Sequence, residues 1–146
     1  MLVRLLYASR SKQVISDEIV QAILKSSRAY NPDVGITGVL CVYESGDTFM
    51  QVLEGGRAQV NELYQTICRD ERHKDVTILH YADIVERRFS GWRMGRVNLS
   101  KVNRSTVIRF SESTTLDPFS LQGETALKLL EELVATAAIA SESSLG

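Results

Sequence analysis

A glutamine, Gln51, interrupts the apolar run of "TFMQVLEG", and a tyrosine, Tyr7, sits in the alternating stretch "LVRLLYAS". An amide carries two N–H donors and a carbonyl acceptor, and a phenol has one hydroxyl that both donates and accepts. Brought together away from water, the two would bond each other and keep capacity for a third polar group. Taken singly, each has a plainer role: a strand Gln at a solvent-facing or edge position, and a strand Tyr packed in the core with its hydroxyl at the rim. The elements that carry them decide between these readings.

"LVRLLYAS", Leu2 to Ser9, alternates and is β-prone. "SDEIVQAILKSSRAYN" opens with Ser16 as N-cap, spaces Ile19, Val20, Ile23 and Leu24 as a helix does, and ends before Pro32. "ITGVLCVY" and "TFMQVLEG" are joined by "ESGD", whose Gly46 tolerates positive φ, and predict an antiparallel hairpin. "RAQVNELYQTICRDER" places Val60, Leu63, Tyr64 and Ile67 on one helical stripe. A fourth strand falls within "VTILHYADIVERR" and a shorter fifth within "WRMGRVNL", where Trp92 and Met94, two apart, would share a strand face. Either could be the inward one, and a plain core pair is the alternative.

This order predicts an α+β fold, a ferredoxin-like βαββαβ sandwich with an added fifth strand, because right-handed crossovers around a hairpin leave few other compact solutions. In that topology the first and third strands are central neighbours. Period-2 alternation puts Tyr7 and Ser9 on one face of the first strand and Phe49, Gln51 and Leu53 on one face of the third. With both faces turned to the helices, Tyr7 and Gln51 meet.

The remaining segment predicts a helical cap: a short helix at Ser105 to Phe110, then a longer one after a Ser120 cap, with Leu127, Leu130, Leu133, Val134 and Ala137 in helical spacing and Gly123 weakening its first turn. A sheet with two apolar faces needs both covered, and these helices would cover the second. Their apolar surplus could also serve an oligomer contact or a partner surface. The tail "SESSLG" reads as disordered.

At 146 residues and 44% hydrophobic content the chain suits one compact domain with an extension. A formal net charge of -1, with Lys and Arg scattered apart from short runs, gives no electrostatic case for nucleic acid. No apolar run approaches the roughly 18 residues of a membrane span, and "MLVRLLYASR" turns polar too soon for a secretory signal, so a cytoplasmic protein is expected. Cys41 and Cys68 lack metal-binding spacing and read as buried thiols, so no metal is expected.

The residues resemble the BLUF domains, blue-light sensors that use a flavin. The resemblance rests on "LLYASR" with Tyr7, "NPDVGITGVL" with Asn31, "FMQVLEG" with Gln51, "DERH" with Asp70, Arg72 and His73, and "RRFSGWRMG" with Trp92 and Met94, all in the family's order. Several separated motifs in register are far more specific than one. The resemblance implies a flavin-binding domain over residues 1–99, a helical cap over 100–140 like that of the short, stand-alone members, and a tail at 141–146.

It also implies roles. Tyr7 would be the light-driven electron and proton donor, and Gln51 the relay between Tyr7 and flavin N5 and O4. Asn31 would meet the flavin's C2 carbonyl and C4/N3 edge, with a turn residue as the plainer reading. Asp70, Arg72 and His73 would lie near the ribityl and phosphate tail; a solvated helix end is the alternative. Ser9 would bond near the same network, or be an ordinary strand-end Ser. Trp92 and Met94 would transmit the change at Gln51. The implied cofactor is non-covalent FAD, with FMN as the alternative, and the implied protein is a light sensor that is not an enzyme; a homo-oligomer is expected from the apolar surplus of the last helix. It would signal to a separate effector, for which a cyclic-dinucleotide enzyme and a transcriptional regulator both suit. The fold also hosts small enzymes and ligand-binding regulators of the acylphosphatase kind. For these, Arg10 with Asn31 is a poor match, and no Gly-rich cradle follows the first strand.

Overall fold

The computed structural model describes residues 1–28 and 35–136; Tyr30, Asn31, Pro32, Ala137 and the 141–146 tail lie outside the described residues. The elements run β1 (Leu2–Ser11), α1 (Asp17–Arg28), β2 (Thr37–Tyr43), β3 (Thr48–Gly56), α2 (Arg57–Arg69), β4 (His73–Ile84), β5 (Gly95–Asn98), α3 (Arg104–Phe110) and α4 (Gly123–Ala135). They form one sheet in the order β4-β1-β3-β2-β5, with β5 parallel to β2 and the other pairs antiparallel. This is the ferredoxin-like α+β arrangement with a fifth strand added at the edge.

The helix signals act as the sequence suggests at α1. Ser16 Oγ accepts from Ile19 N at 3.3 Å, while Asp17 and Glu18 open the helix and Lys25 and Arg28 close it, complementing the helix dipole. The hairpin turn differs in detail. Asp47, not Gly46, takes the left-handed position, at φ 50°. An Asp tolerates it at modest cost, and its backbone N–H closes the turn onto Glu44 O at 3.2 Å.

Each sheet face carries its own core. One joins Val3, Leu5, Tyr7, Leu40, Phe49 and Leu53 to Val20, Ile23 and Leu24 of α1 and Val60, Leu63 and Ile67 of α2. The other joins Leu6, Val39, Cys41, Met50, Val52 and Val97 to Val107 of α3 and Ala126, Leu127, Leu130 and Leu133 of α4. Ser120 does not cap α4: it closes a 3₁₀ turn over Pro118–Ser120, and Gln122 precedes the helix without a side-chain cap. Gly123 is required there. A Cβ on it would stand 2.3 Å from Leu79 O, so its absence lets α4 begin directly on β4.

One buried ion pair ties the connection between β4 and β5 to the sheet. Arg4 and Glu54 are register partners across β1 and β3, and both are buried. Glu54 Oε2 accepts from Arg4 Nε at 2.8 Å and from Arg88 N at 3.1 Å, and Oε1 accepts from Phe89 N at 2.7 Å. A buried carboxylate needs this many donors. Arg88 reaches on to Glu131 of α4.

Candidate functional site

Tyr7 and Gln51 are register partners on the two central strands. Cross-strand partners share a face, and here that face lies under α1 and α2. The Tyr7 hydroxyl donates to Gln51 Oε1 at 2.5 Å. Gln51 Nε2 donates to Ser27 Oγ at 3.3 Å and to Met94 Sδ at 3.2 Å. Tyr7, Gln51, Ser27 and Met94 are all buried. The amide thus joins β1, α1 and the segment before β5.

Burial drives the Tyr7 phenol well above its ordinary value, with smaller contributions from Cys68, Tyr64 and Asp70. The phenol is therefore neutral and its single proton is committed to Gln51. Tyr64 of α2 meets the Tyr7 ring edge-on, with centroids 5.9 Å apart. Its own phenol is pushed up to about 12, first by burial and then by its hydrogen bond to Cys68.

Ser9 and His73 form a second pair beside the first. Ser9 Oγ lies 2.8 Å from His73 Nδ1, and His73 Nε2 lies 2.7 Å from Ile67 O. A carbonyl only accepts, so Nε2 carries the proton, and in the neutral ring Nδ1 accepts from Ser9. His73 thereby links β1 to the end of α2 as a buried residue, while its neighbours are at the surface. Arg72 Nη1 pairs with Asp70 Oδ2 at 2.6 Å, and Asp70 Oδ1 accepts from Arg72 N at 2.9 Å. Cys68 is exposed, not buried, whereas Cys41 is buried as expected.

Trp92 and Met94 do not share a strand face. Both precede β5, whose regular pairing starts at Gly95. Met94 packs with Tyr7 and α1, while Trp92 packs on the opposite face with the α3 and α4 core. The chain crosses the plane of the sheet between them. Ser27 and Tyr64 were not among the expected site residues. Ser27 had a legible signal, a lone hydroxyl on the stripe of Ile23 and Leu24.

The apolar inner faces of α1 and α2 and the buried Gln51 amide between them offer the chemistry that a flat heteroaromatic ring with hydrogen-bonding atoms along one edge requires. A flavin ring is such a group, and these residues fit it. Arg10 does not serve a phosphate cradle: its guanidinium lies 4.3 Å from the Phe119 ring centroid and 3.6 Å from Asp75. Among the described residues no cluster of His, Cys, Asp and Glu could hold a metal ion, and no helix is long and apolar enough to cross a membrane.

A ferredoxin-like sheet with an added edge strand and a buried Tyr–Gln pair under α1 and α2 is the combination to compare with known proteins. The sequence matches the BLUF family model, "Sensors of blue-light using FAD", over residues 2–95, and the chain belongs to that family. It is 36% identical over 94 residues to the photoactivated adenylate cyclase subunit beta of Euglena gracilis, covering 64% of this chain and 11% of that protein. It is 28% identical over 109 residues to the blue light- and temperature-regulated antirepressor BluF of Escherichia coli, covering 75% of this chain and 27% of that one. The chain thus spans only about a tenth of the cyclase subunits it matches. Among solved structures, BlsA in its photo-activated state superposes with a TM-score of 0.79 at 30% identity, covering 100% of both chains. BlrB in its dark state gives 0.75 at 29%, covering 93% of this chain and 96% of that one.

Proposed function

We propose that this chain is a blue-light photoreceptor that holds FAD non-covalently and converts its excitation into a rearranged hydrogen-bond network around Gln51. The observation that carries the reading is the buried Gln51 amide, bonded at once to Tyr7, Ser27 and Met94. A bound flavin would supply the light-absorbing, electron-accepting ring.

The chain's own residues then do the rest. Tyr7, neutral and buried, holds its proton at Oη in the contact with Gln51 Oε1, from which it would leave together with an electron to the excited ring. Gln51 has two arrangements. In the one observed, Oε1 accepts from Tyr7 and Nε2 faces Ser27 and Met94. Turned over, the carbonyl would face Ser27 and Met94. A hydroxyl can donate as well as accept, so Ser27 suits either arrangement, but a thioether sulfur only accepts. Met94 therefore favours one orientation of the amide and is displaced by the other. Since the Tyr7 proton has its acceptor in the observed arrangement, this is the resting one. A change at Met94 moves the segment that also carries Trp92 on the far face, against α3 and α4.

Asn31 is assigned to the flavin's polar edge, Asp70 and Arg72 to its tail, and Ser9 with His73 to holding the end of α2 beside it. Output passes to a separate partner, with α3 and α4 as the surface nearest the moving segment. The family resemblance extends to proteins of cyclase, cyclic-di-GMP and antirepressor function, so a nucleotide-signalling enzyme and a transcriptional regulator are both suitable recipients. The test is a lit-minus-dark absorption spectrum of purified protein: a reversible red shift is expected. Protein that stays colourless after addition of FAD overturns the proposal.

A further inference from the structure

Two consecutive residues at the end of α1 reach the network, and only Ser27 touches the amide. The other, Arg28, donates from Nη2 to the backbone carbonyl of Met94 at 2.8 Å. Arg93 Nη2 donates in return to Arg28 O at 3.4 Å. At the other end of the same three residues, Gly38 N donates to Trp92 O at 2.8 Å. The Trp92–Met94 segment is therefore held by both of its end carbonyls, one by the backbone of β2 and one by a side chain.

These two ties differ in kind. The β2 backbone is locked in the sheet, and Gly38 is itself closely packed, since a Cβ there would stand 1.9 Å from Val52 O. The Arg28 tie is a charge-assisted bond from a long side chain and lies outside the strand pairing of the sheet. The Met94 thioether meets Gln51 Nε2 at 3.2 Å from a residue whose backbone carbonyl Arg28 holds.

We infer that Arg28 is a positioning residue for the photoswitch: it is the releasable latch that keeps the Met94 sulfur against the Gln51 amide, and so sets how far the Trp92–Met94 segment follows the amide when it turns. The inference rests on the Gln51–Met94 reading above. It assigns to Arg28 no contact with the flavin and no part in the proton movement.

Trp92 is the only tryptophan of the chain and Met94 one of three methionines, so both are reported by spectroscopy without any cofactor. The test compares wild type, Arg28→Met and Arg28→Lys, each ¹³C-methyl-labelled at methionine, with Met94→Leu to identify the Met94 signal. In the apo protein, Arg28→Met should shift the Met94 methyl resonance, leave that of Met50, and raise acrylamide quenching of Trp92. In FAD-loaded protein it should keep the light-induced red shift but lose most of the lit-minus-dark change in Trp92 emission. The held-to-released ratio should fall by about tenfold, the scale on which one bond from a charged donor acts. Arg28→Lys, which keeps a cationic donor, should restore part of both signals and takes over the comparison if Arg28→Met does not fold. A wild-type Met94 resonance and full Trp92 response in Arg28→Met, or in Arg28→Lys when it alone folds with no difference from wild type, would overturn the latch. Absence of the red shift in wild type would instead overturn the photoswitch reading.

Discussion

Trp92 and Met94 are two residues apart and lie on opposite faces of the sheet, Met94 beside Gln51 and Trp92 beside the α3–α4 core. A displacement of one is mechanically a displacement of the other, because only Arg93 separates them. Met94→Leu keeps the volume and removes the sulfur acceptor, so it should leave the red shift and alter dark recovery. Trp92→Ala should leave both nearly intact and weaken light-dependent binding of a partner. Equal recovery and equal partner binding in the two variants would remove this segment from the signal path.

The Tyr7 hydroxyl has a single described partner, Gln51 Oε1. Tyr7→Phe keeps the ring, its packing and its edge contact with Tyr64, so the protein should fold and bind FAD. It has no proton to give, and the lit-minus-dark spectrum should lose the red shift. An undiminished shift would show that another residue donates.

Gln51→Leu roughly preserves volume on a sheet face whose other buried side chains are mostly apolar, and flavin should be retained. Leu neither accepts from Tyr7 nor donates, so the red-shifted state should be absent. Leaving the Tyr7 hydroxyl unpaired should cost about 1–3 kcal/mol of stability. A mutant with the wild-type shift and recovery would reduce Gln51 to a strand residue.

Alkaline pH offers a check on Tyr7 that needs no light. Its folded pKa is raised by burial, and that of Tyr64 is raised to about 12, against about 10 for the unfolded chain. Above the unfolded value the unfolded state sheds protons that the folded state keeps, so stability is full below about pH 10 and falls as pH rises past it. Urea midpoints between pH 9 and 12 should decline, and less so for Tyr7→Phe. A decline that is the same in Tyr7→Phe as in wild type would mean that burial does not hold the Tyr7 proton.

Much of this was legible because it follows from period. Alternation in Leu2–Ser9 and Thr48–Gly55, with the adjacency a ferredoxin-like order imposes, suffices to bring Tyr7 and Gln51 together. What escaped depends on close approach or on crossing between faces. Gly123 looks like a weak helix start until β4 is known to pass 2.3 Å from its missing Cβ. Trp92 and Met94 look like a same-face pair because alternation applies only inside a strand, and β5 begins after both. Arg4 and Glu54 look like ordinary alternating charges; their pairing depends on cross-strand register and on the backbone N–H groups of a distant loop.

That pairing gives a sharp test of how the loop between β4 and β5 is anchored. Glu54 accepts from Arg4 and from the N–H groups of Arg88 and Phe89, so it has two duties: to neutralise a buried cation and to fix a loop. Glu54→Leu should cost about 3–5 kcal/mol, the usual result of stranding a buried charge. Arg4→Met should cost less, because the carboxylate keeps both N–H donors. If the ion pair were the whole matter, the double variant Arg4→Met/Glu54→Leu would regain wild-type stability, as apolar replacements of buried pairs often do. Here it should not. Two backbone N–H groups would remain without their acceptor, at about 1–3 kcal/mol each where they stay buried. Urea unfolding of the four proteins decides it: a double variant as stable as wild type would mean that Glu54 does not hold the Arg88–Phe89 loop.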